Sequence, residues 1–127
     1  AANDEILRIH APLIANRRTP TCPARVGGAE IQPGERLTLI WASANRDEAV
    51  FGDPDEFRLD RDPALNLLYG AGIHACPGAP LARLELEAMI QALLAGTRAL
   101  EPSDEHPPMP AIYPASGHRQ AILMLRH

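Results

Sequence analysis

The chain has 127 residues, enough for one domain and too few for two. Hydrophobic residues make up 46% and aromatic ones 4%, which supports a buried core with little aromatic filling. The 12 basic residues, all arginine, face 16 acidic ones for a net charge of −4, and no basic run occurs, which argues against nucleic-acid binding. No stretch is long and apolar enough to span a bilayer, and no signal-peptide pattern opens the chain, so no membrane role is expected and the cytoplasm is the default compartment. Cys22 and Cys76 sit in different contexts, which argues against a disulfide framework. No internal composition shift suggests a linker, so residues 1–127 read as a single unit.

The first ten residues read as a helix already in progress. Glu5 and Arg8 stand three apart on one helical face, in isolation an ordinary surface pair worth roughly a few tenths of a kcal/mol. The segment 12–20 carries Leu13, Ile14 and Ala15 and then Arg17 and Arg18, which by themselves read as solvated strand residues. Cys22, between Thr21 and Pro23, has nothing beside it to lower its pKa and reads as structural or incidental. Turn signals at Val26, Gly27, Gly28 and at Ile31, Gln32, Pro33, Gly34 flank short β segments. The spacing predicts a strand over 36–41, with Leu37, Leu39 and Trp41 on one side, followed by a short helix capped by Asn45. Residues 51–63, rich in Asp and Pro, read as irregular, with Phe57 as their anchor.

The stretch 66–91 carries the most information. A loop punctuated by Gly70, Gly72 and Gly78 presents Cys76, and a helical pattern begins immediately behind it. The glycines permit conformations closed to other residues and let a flat partner approach closely. Pro80 suits the first turn of a helix. That helix aims its free N–H groups and positive dipole end at Cys76, which favours the thiolate, the form that binds metal or attacks electrophiles. From the residues alone Cys76 is a metal ligand, a nucleophile or a small buried hydrophobe. The helix is expected over 81–96, with apolar positions 81, 84, 88, 89, 92 and 93 on one face, Arg83, Glu87 and Gln91 on the other, and Gly96 at its end. A short strand over 98–100, a Pro-rich loop over 101–110 and a terminal hairpin formed by 111–114 and 121–125 complete the chain.

The loop resembles the heme-binding signature of the cytochrome P-450 family: an aromatic, Gly, any, Gly, any, a basic residue, any, Cys, any, Gly. Tyr69, Gly70, Gly72, His74, Cys76 and Gly78 occupy those positions, and the sequence from Gly78 to Glu85 resembles the start of the family's helix behind the heme. The resemblance implies an α+β chain corresponding to the C-terminal, heme-proximal portion of a mostly α fold, in the order bracing helix, small hairpins, meander, cysteine loop, proximal helix and terminal hairpin. It implies heme b as cofactor, with Cys76 as the iron ligand and Tyr69, Gly70 and Gly78 shaping the loop. Arg18 and His74 would contact the propionates, with Arg17 replacing Arg18 if the register slips by one. Glu5 and Arg8 match the family's Glu-x-x-Arg, completed by Arg61 into a bracing network. Residues 51–63 match the meander that supports the proximal face, and the terminal hairpin tip would lie near substrate.

The activity so implied is oxygen insertion into a small organic substrate, with electrons from a ferredoxin or flavoprotein partner. The family's distal helix, with its oxygen-activating acid–alcohol pair, and its N-terminal helix match nothing in the chain, so no catalytic distal residue is assigned. Apolar surface that faces the rest of a full-length member would be exposed here, so self-association or a complementary chain is expected. Two positions depart from the pattern. Tyr69 stands where Phe or Trp is usual and adds a hydroxyl, and Pro77, after the cysteine, has no N–H to donate to the sulfur. The second departure predicts a more electron-rich thiolate and a lower iron potential. Two other readings remain: a non-catalytic scaffold or interaction module that has lost heme, and a thiol enzyme using Cys76 with His74.

Overall fold

A computed structural model describes residues 2–127. Helix α1 (Ala2–His10) leads into strand β1 (Ala15–Arg18), hairpin strands β2 (Ala24–Val26) and β3 (Ala29–Ile31), and strand β4 (Leu37–Ile40). Two single-turn helices follow, α2 (Trp41–Ala44) and α3 (Glu48–Phe51), then 3₁₀ turns at Pro63–Leu65, Leu67–Tyr69 and Gly72–His74. The long helix α4 (Ala79–Gly96) comes next, then strands β5 (Ala99–Pro102), β6 (Met109–Pro110), β7 (His118–Gln120) and β8 (Leu123–Arg126).

The strands form antiparallel pairs nested like brackets. β2–β3 lies inside β1–β4, and β6–β7 lies inside β5–β8. The inner turn of the first pair is Gly27 and Gly28, with φ of 55° and 85°, the double left-handed geometry whose twist matches the flanking strands. Leu13 bridges Ala115 and Ile14 N–H donates to the Pro114 carbonyl, so the two bracketed units touch at the tip of the second. Ser116 Oγ donates within reach of the His10 and Ala11 carbonyls, at 2.6 and 2.8 Å, just past the end of α1.

The interior is built around charge rather than a large apolar cluster. Ala11, Ala15, Ile31, Phe51 and Ala79 are buried, and Glu5, Arg8, Asn45 and Ser103 are buried with them. α1 therefore turns its Glu5–Arg8 face inward. α4 does the reverse. Leu81, Leu84, Met89 and Leu94 are exposed, whereas Arg83 and Glu87 line a recess against Asn3 and Asp4 of α1.

Several local expectations need correction. Trp41 starts α2 instead of ending β4, where its indole N–H reaches Asn16 Oδ1 at 3.1 Å. Asp47, not Asn45, caps α3, accepting from Ala49 N–H at 2.9 Å. Phe51 is the buried aromatic anchor and Phe57 is exposed, because the ring of Phe51 lies beneath the Arg8 and Arg61 guanidinium groups. In the terminal region, segment 111–114 is the connection between β6 and β7, and β8 pairs with β5. Gly78 has φ −83°, which any residue adopts, while Gly70 and Gly72 have φ of 72° and 60°.

Candidate heme-thiolate site

Asn66 caps the 3₁₀ turn Leu67–Tyr69, its Oδ1 accepting from Leu68 N–H at 2.9 Å. Gly70 then takes φ 72°, and a Cβ there would lie 3.0 Å from the His74 carbonyl oxygen. The loop closes on itself through Cys76 N–H and the Tyr69 carbonyl, 2.7 Å apart. Ala79 N–H donates to the Cys76 carbonyl at 3.2 Å, and Ala82 N–H to that of Gly78 at 2.9 Å, which opens α4 directly behind the cysteine. Gly78 caps α4 without a side chain; a Cβ at this position would meet the Cys76 Sγ at 3.8 Å, an ordinary contact. Both cysteines are exposed free thiols.

Cys76 lines a cavity of about 460 Å³ together with His74, Arg18, Leu39, Trp41 and the turn 67–71. The cavity is walled on one side by the β1–β4 pair and floored by the cysteine loop. Its lining is mostly apolar, with Arg18 and His74 supplying cationic or hydrogen-bonding tips. In β1, Asn16 and Arg18 line this cavity and Arg17 does not; all three line a second one with Leu13 and Tyr113. Arg18 Nη1 donates to the Arg17 carbonyl at 2.9 Å. The Tyr69 hydroxyl makes no hydrogen bond among the described residues, and neither does Cys76 Sγ with His74.

Beneath the loop lies the charged network. Glu5 Oε1 accepts from Arg8 Nη2 at 2.8 Å, Arg61 Nε at 3.1 Å and Arg58 N–H at 3.2 Å, and Oε2 accepts from Arg8 Nε at 2.8 Å. Arg8, 1% exposed, also donates to the carbonyls of Asn45 and Pro54 at 2.7 and 2.8 Å. Arg61 reaches the carbonyls of Phe51 and Asp53. The hydrogen bond from Arg8 holds the Glu5 carboxyl below its usual range against the opposing effect of burial, with help from Arg58 N–H and the Arg8 and Arg61 charges. A network of this kind fixes one geometry more than it adds stability. The structure joins Arg8 and Arg61 through the Glu5 carboxylate, and gathers Arg18, Tyr69, Gly70, His74 and Cys76 around one cavity; Gly78 lies outside its lining, next to the sulfur.

Sequence reasoning missed three contributors. Asn45 and Asn66 hydrogen-bond each other beneath the loop. Arg83 links α4 to Asp4 and lies over Tyr69. The only local signal was an Asn preceding an apolar turn at Asn66. Among the described residues no group of three or more His, Cys, Asp or Glu is arranged to hold a metal ion. No helix among them is long and apolar enough to cross a membrane.

The sequence matches the family model of cytochrome P-450 over residues 1–117. A steroid C26-monooxygenase of Mycolicibacterium smegmatis is 42% identical over 106 residues, covering 84% of this chain and 26% of that protein. Cytochrome P-450-terp of a Pseudomonas species is 41% identical over 98 residues, covering 77% and 23%. Among solved structures, a Bacillus megaterium protein in complex with testosterone superposes with a TM-score of 0.88 at 30% identity, over 98% of this chain and 35% of that one. A versatile cytochrome P-450 enzyme of Bacillus subtilis gives 0.86 at 34% identity, over 98% and 34%. The match to the family model over most of the chain, together with these relatives, shows that the chain belongs to the cytochrome P-450 family. It spans about a quarter of the length of the curated relatives it matches.

Proposed function

We propose that residues 1–127 form the heme-proximal unit of a heme-thiolate monooxygenase, in which Cys76 would supply the sulfur that holds the iron. The observation that carries this reading is the position of Cys76: exposed, at the N-terminal end of α4, and lining an apolar cavity whose other polar groups include Arg18 and His74. Those residues fit iron protoporphyrin IX. One soft sulfur donor suits iron, apolar walls suit the ring, and a planar guanidinium suits a carboxylate. When bound, heme supplies oxygen activation and insertion of one oxygen atom into a small organic substrate, using electrons from a ferredoxin or flavoprotein. The chain's own share is narrower. Cys76 would hold the iron and donate electron density to it, Arg18 and His74 would pair with the propionates, and Tyr69 and Gly70 would shape the loop. Glu5, Arg8 and Arg61 brace that loop from below. The 111–117 tip, held against Leu13, would border the substrate, and the unit would act in the cytoplasm.

The reduced, CO-bound absorption spectrum of the heme-loaded chain tests this reading. A thiolate signature that disappears in Cys76→Ser is the expected result. No heme uptake would favour the scaffold reading, and a signature unaffected by the substitution would remove Cys76 from the iron. The thiol-enzyme reading has less support, since His74 makes no hydrogen bond to Cys76.

The exposed apolar side of α4, with Leu81, Leu84 and Met89, supports association with a second copy or a complementary chain. Light scattering at micromolar concentration should give a mass above that of one chain; a clean monomer would count against it.

A further inference from the structure

The charged network and the cysteine loop are joined by two amide side chains. Asn45 is 0% exposed. Its carbonyl accepts from Arg8 Nη1 at 2.7 Å, its Oδ1 accepts from Leu67 N–H at 2.8 Å, and its Nδ2 donates to Asn66 Oδ1 at 3.0 Å. Asn66 Oδ1 also accepts from Leu68 N–H at 2.9 Å, and its Nδ2 donates to the Asp4 carbonyl in α1 at 2.9 Å. The pair therefore captures two successive N–H groups of the turn that ends at Tyr69, whose carbonyl in turn holds Cys76 N–H.

The chemistry requires amides. Asn45 must accept from Leu67 and donate to Asn66 through one planar group, which neither a carboxylate nor a hydrophobe of that size does. Each amide's orientation is set by its neighbours: both oxygens must face backbone N–H groups, while Asn45 Nδ2 must face Asn66 Oδ1 and Asn66 Nδ2 the Asp4 carbonyl. Among the described residues no buried side-chain nitrogen or oxygen lacks a partner, so the network is fully satisfied.

We propose that Asn45 and Asn66 are positioning residues that lock the entry of the cysteine loop to the Glu5–Arg8–Arg61 network and so hold Cys76 towards its cavity. This deepens the heme-thiolate reading and rests on it for its purpose. The local coupling stands or falls independently. Loss of either amide should free the loop without unfolding the helix beneath it.

Hydrogen exchange on the full 127-residue chain without heme reads this directly. Asn66→Ser keeps an oxygen for Leu68 N–H, and so keeps the cap, but is too short to reach both Asn45 and Asp4. Exchange in segment 66–78 should accelerate about fivefold to tenfold, the factor expected for one lost hydrogen bond, with segment 2–10 unchanged. Adding Asn45→Ser to that variant should accelerate segment 66–78 little further, since the two act as one link. In the heme-loaded variant, the reduced, CO-bound spectrum should lose part of its thiolate signature. Equal acceleration in both segments would mean a general structural role, and no acceleration would mean no coupling. A loosened loop with an unchanged spectrum would mean that Cys76 is placed by something else. Each of these results overturns the proposal. If the unaltered chain shows no thiolate signature at all, the heme reading fails alone, and the exchange comparison still decides whether the two amides lock the loop.

Discussion

The Arg83 guanidinium lies 4.8 Å from the centroid of the Tyr69 ring while its Nε donates to Asp4 Oδ1 at 2.8 Å. One side chain on the first turns of α4 thus holds both the aromatic residue that opens the cysteine loop and the helix that carries the charged network. Arg83 is half-exposed, so the ion pair is screened and the cation–π contact is moderate. Arg83→Ala should cost about 1 kcal/mol in urea unfolding. Tyr69→Phe keeps the ring and should cost less, because the hydroxyl has no hydrogen bond among the described residues. A larger loss for Tyr69→Phe than for Arg83→Ala would refute this ranking.

Removing Arg8 should be the most damaging single change in the network. It leaves the Glu5 charge buried and two carbonyls without a donor, a loss of about 3–5 kcal/mol by the measure of other broken buried pairs. Circular dichroism against urea concentration gives the number. A loss below about 1 kcal/mol would place the pair among ordinary surface contacts.

Acid should act through the same carboxylate. The folded pKa of Glu5 lies below its ordinary value of 4.5, so its contribution is complete above that value and is lost as pH falls through the folded one. Stability should therefore decline on acidification below about pH 4.5. Asp60, held low mainly by its hydrogen bond from Arg58, has the same sign, and the comparison with Glu5→Gln isolates Glu5. The variant should be weaker at neutral pH and flatter in acid; parallel curves would assign the acid loss to other groups.

Alanine substitutions at the loop glycines should rank by backbone geometry. Gly70→Ala meets both a φ of 72° and the His74 carbonyl 3.0 Å away, and should cost about 1–3 kcal/mol. Gly72→Ala, at φ 60° in open space, should cost about 1 kcal/mol from the backbone alone. Gly78→Ala, at φ −83°, should be close to neutral for folding. Thermal unfolding of the three settles the order, and equal losses would contradict it.

Pro77 cannot donate an N–H to the sulfur beside it. Pro77→Leu restores a donor, which should raise the iron potential in spectroelectrochemistry of the heme-loaded chain. An unchanged or lowered potential would mean that the N–H at this position does not reach Sγ.

The legible parts of the molecule were those governed by local rules. Gly70, Gly72 and Pro80 mark a loop running into a helix because their backbone preferences are intrinsic, and α4 begins within two residues of the expected start. Glu5 and Arg8 are neighbours on α1 by spacing alone. What escaped was set by distant partners. The pairing of Asn45 with Asn66 spans 21 residues, and nothing local distinguishes a buried amide from a helix cap. Phe51 outranks Phe57 only because two guanidinium groups converge above it. The apolar positions of α4 marked one face of the helix, but periodicity reports that a helix has an apolar side and not what lies against it.

The hydroxyl of Ser116 closes the end of α1 from 105 and 106 residues away. During synthesis α1 emerges well before Ser116, so its final carbonyls wait for a hydroxyl that lies 105 and 106 residues further along the chain. Until then the helix relies on its charged face and on whatever transient shelter the nascent polypeptide finds, so translation arrest between α1 and Ser116 would release a product whose α1 is made but not yet fastened.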